Sequence, residues 1–92
     1  MSYEFRGTPG PWKYSPGRLT RVYGNGFAVC ELSGGEAVRD KRNAQLIAAG
    51  PSLLYELSET HAALCMKDPE YIGSERYNRN RAALAKATGQ DQ

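Results

Sequence analysis

Arg76, Asn78, Arg79, Asn80 and Arg81 crowd into six positions, with Tyr77 among them. Guanidinium forks grip phosphate oxygens in pairs, amides donate to polar edges, and an aromatic ring offers a stacking surface. The cluster therefore has the makings of a nucleotide or RNA-backbone site, and equally those of a solvated helix face. Arg39, Lys41 and Arg42 follow Glu36 near a predicted helix start, where free backbone N–H groups attract anions. They form either a phosphate-binding corner or plain surface with Asp40 interspersed. Trp12, Tyr14 and Tyr23 fall in an extended region, with Tyr3 upstream. Together these give one candidate ligand site. Trp12 or Tyr23 would stack on a base, and Arg42, Arg76, Arg79 and Arg81 would hold phosphates. Asn43 and Asn78 would read polar edges.

Other chemistry has little material. The chain has one histidine and two cysteines. His61 falls on the apolar side of a predicted helix, without an evident nucleophile and orienting carboxylate around it, so a structural role is expected. Cys30 and Cys65 fit no zinc-ligand or CxxC spacing and read as small buried hydrophobes. Gly34-Gly35 before a helix lacks the lysine and serine of a P-loop and the third glycine of a dinucleotide fingerprint; it reads as a flexible connector. No catalytic residue, metal ligand or cofactor is assigned, and the expectation is a protein that is not an enzyme.

The elements that must position these residues divide into a β-rich section, 1–35, and a helical section, 36–88. Each proline of Thr8-Pro9-Gly10-Pro11 forces extended geometry on the residue before it, so Trp12 to Tyr14 reads as a short strand. Leu19 to Tyr23 and Phe27 to Leu32 favour strand, and Asn25-Gly26 between them suits a type I′ turn. That register sets Val22 opposite Val29 and Thr20 opposite Glu31 on one face. Tyr23 with Ala28, Arg21 with Cys30 and Leu19 with Leu32 fall on the other. Neither face is cleanly polar. Either the register is off by one residue, or helices cover one face and a partner or ligand the other. Glu36 to Gly50 is a first helix, with Gly50 expected in the left-handed C′ conformation. Pro51 to Lys67 is a second, with Leu53, Leu54, Leu57, His61 and Leu64 at spacings of three and four. Asp68-Pro69 ends it, and Ser74 caps a third helix bearing Tyr77, Arg81 and Leu84 on one side.

The sum is an α+β fold in a single domain, 1–92: a small antiparallel sheet, hairpin plus short strand, followed by two or three helices. Ninety-two residues with 40% hydrophobic and 24% charged content fit a globular domain and exclude disordered and disulfide-scaffold classes. A net charge of +2 gives no bulk electrostatic sign of nucleic-acid binding. No apolar run approaches the roughly 20 residues of a membrane span, and the N-terminus lacks a signal-peptide pattern, so no membrane and a cytoplasmic setting are expected. Large aliphatics are few for sealing a core, and domains of this size often make up such a deficit by self-association. A homodimer or higher homo-oligomer is the expectation.

Two segments carry a resemblance. Thr8-Pro9-Gly10-Pro11-Trp12, and Asn43-Ala44-Gln45-Leu46-Ile47-Ala48-Ala49-Gly50-Pro51-Ser52-Leu53-Leu54-Tyr55-Glu56-Leu57, resemble small phage and prophage proteins of unassigned function that read TPGPW and NARLIAAAPELLEAL. Here Gln45 replaces the usual arginine and Gly50 departs from the pattern before Pro51. The resemblance implies a phage accessory protein in the host cytoplasm. By analogy with small phage proteins that block host components, it would counter host defence by sequestering a nucleotide-like signal or occluding an effector protein. The alternatives are a nucleic-acid-associated phage regulator using the same arginines and a structural helix-pairing module.

Overall fold

The computed structural model describes residues 4–16, 19–33 and 36–90. Its order is β1 (Trp12–Ser15), β2 (Thr20–Gly24), β3 (Phe27–Leu32), α1 (Ala37–Ala48), α2 (Gly50–Lys67) and α3 (Glu75–Ala87). The strands form one antiparallel sheet in the order β1-β2-β3. The expected α+β fold is therefore present, with three strands and three helices. Gly34-Gly35 and Tyr3 lie outside the described residues.

The hairpin turn is the expected one: Asn25 and Gly26 take φ of 51° and 81°, the paired positive values of a type I′ turn. At the tip, Tyr23 pairs with Ala28 as expected. Beyond it the register slips by one residue at a bulge between Val22 and Tyr23, pairing Val22 with Cys30, Arg21 with Glu31 and Thr20 with Leu32. The expected pairs Val22–Val29, Thr20–Glu31 and Arg21–Cys30 are thus corrected, and Leu19, expected to pair with Leu32, precedes the strand. One extra residue reverses the faces of all that follows.

That bulge resolves the ambiguity of the hairpin. Along β2, Thr20, Val22 and Gly24 are buried while Arg21 and Tyr23 are exposed. Cross-strand pairing puts Trp12 and Tyr14 on the buried side and Lys13 and Ser15 on the exposed side with them. Arg21 donates to Glu31 across the outer face at 2.8 Å. This sheet has one core face and one polar face, the usual arrangement for an antiparallel sheet.

The described residues gather into two compact units, 7–52 and 4–6 with 53–90. In the first, α1 packs on β1 and β2, burying Ala44 against a core that holds Val22 and Thr20. The second contains α3 and α2 from Leu53 onward. Its buried side chains are His61, Tyr71 and Leu84. Gly50 is not the left-handed residue expected: among the described residues positive φ occurs at Asn25, Gly26, Gly73 and Gly89. Ala49 caps α1 in a right-handed conformation (φ −79°, ψ −7°), and Gly50 opens α2 directly.

Candidate functional site

Residues 8–12 meet the end of α1 and the start of α2 within the sheet unit. Trp12 donates its indole N–H to the Thr8 carbonyl at 3.0 Å. Its ring lies so close to Gly24 that a Cβ there would stand 2.6 Å from Cδ1 and 2.8 Å from Nε1. The far edge of the ring reaches Gly50, where an added Cβ would be 3.9 Å from Cζ3. Gly10, ahead of a cis bond to Pro11, approaches Pro51 so nearly that a Cβ would meet the proline at 2.8 Å. Gln45 donates to the Tyr14 hydroxyl at 3.2 Å. The TPGPW segment is thus a clasp on the end of α1 and the start of α2.

Two open cavities flank this clasp. One, of about 490 Å³, is lined by Trp12, Lys13, Tyr14, Gln45, Ala48 and Ala49. The other, of about 350 Å³, lies by the hairpin turn and includes Pro9, Pro11, Lys13 and Tyr23 in its wall. Of the candidate ligand residues, Trp12 lines the first and Tyr23 the second. Arg42 and Asn43 are exposed on α1.

Arg76, Asn78, Arg79 and Arg81 belong to the other unit. Ser74 caps α3, accepting from the Tyr77 N–H at 3.1 Å. With about 100° between successive helical residues, Tyr77, Asn80, Arg81 and Leu84 share one side of α3. Arg76 and Asn78 flank that side and Arg79 lies opposite. Arg79 pairs with Glu75, and the Arg81 guanidinium sits 5.4 Å from the centre of the Tyr77 ring, a cation–π contact. Arg76 and Arg79, three residues apart, are neighbours on one side of α3, and Arg81 leaves from another.

The centre of this unit is a polar cluster that the sequence reading did not assemble. His61 Nδ1 and the Tyr71 hydroxyl are 2.6 Å apart, and Asn80 donates to the same hydroxyl at 2.8 Å. Cys65 Sγ is 3.9 Å from His61 Nε2. His61 stacks on Tyr77 with centroids 5.3 Å apart, and Tyr71 meets both rings edge-on. The Tyr71 oxygen accepts from Asn80 and shares one hydrogen with His61 Nδ1, in a direction set by the imidazole tautomer. Burial, then the charge of Arg81, lower the His61 pKa below 6.5. The signal that pointed here was the four-residue spacing of His61 and Cys65; Tyr71 arrives from a turn with no periodicity to betray it. Among the described residues no three His, Cys, Asp or Glu side chains group as metal ligands, and no helix is long and apolar enough to cross a membrane.

No curated protein and no solved structure matches the chain. The family model for Salmonella phage P22 protein Y8K6 matches residues 1–91, a span that includes both the clasp and the polar cluster. The chain belongs to that phage protein family.

Proposed function

We propose that this chain is a non-enzymatic phage accessory protein that counters host defence by binding and occluding a host effector protein. The observation that carries this reading is the outer side of α2. Leu54, Leu57, His61 and Leu64 make its inner stripe, yet Tyr55, Ala62 and Met66 lie exposed on the other side. Met66 is 87% and Tyr55 60% exposed. Tyrosine and methionine are side chains that protein interfaces favour over the rest of the surface. Lys67 and two glutamates, Glu56 and Glu59, are the only charges on its 18 residues. Glu59 is hydrogen-bonded by the Tyr55 phenol, whose pKa it raises.

Sequestration of a nucleotide-like signal by the arginines finds less support, because Arg79 is paired with Glu75 and Arg81 lies on Tyr77, away from the side of α3 that carries Arg76. The same arrangement weakens the nucleic-acid regulator reading, which predicts binding that falls steeply with added salt. Self-association through the outer side of α2 would use the same side chains. Plating efficiency of phage on defended hosts tests the proposal: the wild-type protein raises it, and Met66→Glu with Tyr55→Glu abolishes the effect while leaving the melting temperature unchanged. Protection by the double variant equal to wild type would overturn it.

A further inference from the structure

The cavity beside the hairpin turn belongs to the sheet unit, whereas the outer side of α2 and the arginines of α3 belong to the other. Lys13 and Tyr23 are cross-strand partners on the outer face of the sheet, and both line this cavity of about 350 Å³. That volume lies in the range of small-molecule sites. Pro9 and Pro11 add two apolar rings to its wall, and residues 24–26 bound it at the turn. Arg21, two residues before Tyr23 on the same face, donates to Glu31 at 2.8 Å and also engages the Tyr23 hydroxyl. The phenol is therefore held in place by a network that starts outside the cavity. Arg21 is neutralised by Glu31, but Lys13 makes no ion pair among the described residues. One uncompensated cation thus stands beside three ring faces. Such faces favour a ring laid against them. A single ammonium, a compact point charge, matches one negative charge better than the near-double charge of a phosphate monoester.

We infer that this cavity binds a small aromatic carboxylate, with Lys13 holding the carboxylate and the ring lying against Tyr23 and the two prolines. The site is separate from the proposed α2 surface and stands or falls without it. It keeps Tyr23 from the sequence-based site, but its cation is Lys13 and the α3 arginines take no part.

Benzoate carries the ring and the charge with nothing else, and serves as the probe. Added to the isotope-labelled full chain, it is expected to shift the backbone amide resonances of Lys13, Tyr23 and the turn residues 24–26 saturably, in the millimolar range proper to so small a ligand. Benzamide keeps the ring without the charge, and acetate the charge without the ring. Each is expected to bind about threefold more weakly or worse, since the ion pair is lost in one case and the ring contact in the other. Lys13 and Tyr23 are exposed, so Lys13→Ala and Tyr23→Ala should both keep the circular dichroism of the wild type. Lys13→Ala should weaken benzoate by the factor that benzamide shows, and Tyr23→Ala by the factor that acetate shows. Absence of a saturable shift at these amides overturns the inference. So does benzamide binding as tightly as benzoate, or benzoate binding that both variants leave intact.

Discussion

Replacing Tyr71 with phenylalanine removes a single oxygen from the point where α2, the turn after it and α3 are tied together. Tyr71 is 6% and His61 8% exposed, so water does not readily replace the lost hydroxyl. His61 Nδ1 and Asn80 Nδ2 both lose their partner at 2.6 and 2.8 Å. A buried polar group left unsatisfied costs about 1–3 kcal/mol, and Asn80, only half-buried, recovers part of its share from solvent. The expectation is a loss of about 2 kcal/mol in urea-denaturation stability. The pH dependence follows from the same geometry. His61 is the only histidine, and its folded-state pKa lies below the ordinary value of 6.5 because burial and Arg81 disfavour the imidazolium. Between the folded and unfolded pKa values the unfolded chain binds more protons, so stability rises with pH there. The contribution is fully present above 6.5 and is lost as pH falls toward the folded value. A single proton limits the slope to about 1.4 kcal/mol per pH unit. Urea titrations at a series of pH values, with the imidazole resonance of the one histidine followed by NMR, measure both quantities. A Tyr71→Phe protein within about 0.5 kcal/mol of wild type, or a histidine titrating above its unfolded value, would refute the reasoning.

Three further substitutions test local geometry. Gly24→Ala sets a Cβ 2.6 Å from Trp12 Cδ1; displacement of the ring should cost about 1–3 kcal/mol and shift tryptophan emission to the red. Gly50→Ala meets only ordinary contact, 3.9 Å from Trp12 Cζ3, and Gly50 uses no positive φ. Gly50 is however helical and directly precedes Pro51, whose ring crowds a Cβ in that conformation, so the substitution should lower stability in chemical denaturation. Ser74→Ala removes the acceptor for the Tyr77 N–H and should cost about 1 kcal/mol, read as a lowered melting temperature.

The elements were legible because they rest on local rules. Asn25-Gly26 specifies its turn, Asp68-Pro69 ends α2 and Ser74 starts α3, each through backbone chemistry within a few residues. The register past the turn was not legible. Val29 is a good strand residue with either face buried, and only the pairing of Arg21 with Glu31 and of Val22 with Cys30 shows where the extra residue goes. Gly50 misled for the opposite reason: glycine before proline resembles a helix stop, but here two helices abut. The clasp was visible as two motifs without any hint that they touch. The run of arginines on α3 was legible as a run, but which of them share a side follows from the helical spacing. Tyr71 and Asn80 were missed because their partnership with His61 joins three separate segments.

The claim that the outer side of α2 is a binding surface is tested most directly by a photo-crosslinking amino acid placed at position 66 in the infected host. The account predicts that a defined host protein is captured there, and that the same crosslinker at the solvent-facing Ser15 position of β1 does not capture it. Equal capture from both positions, or none from position 66, would contradict it.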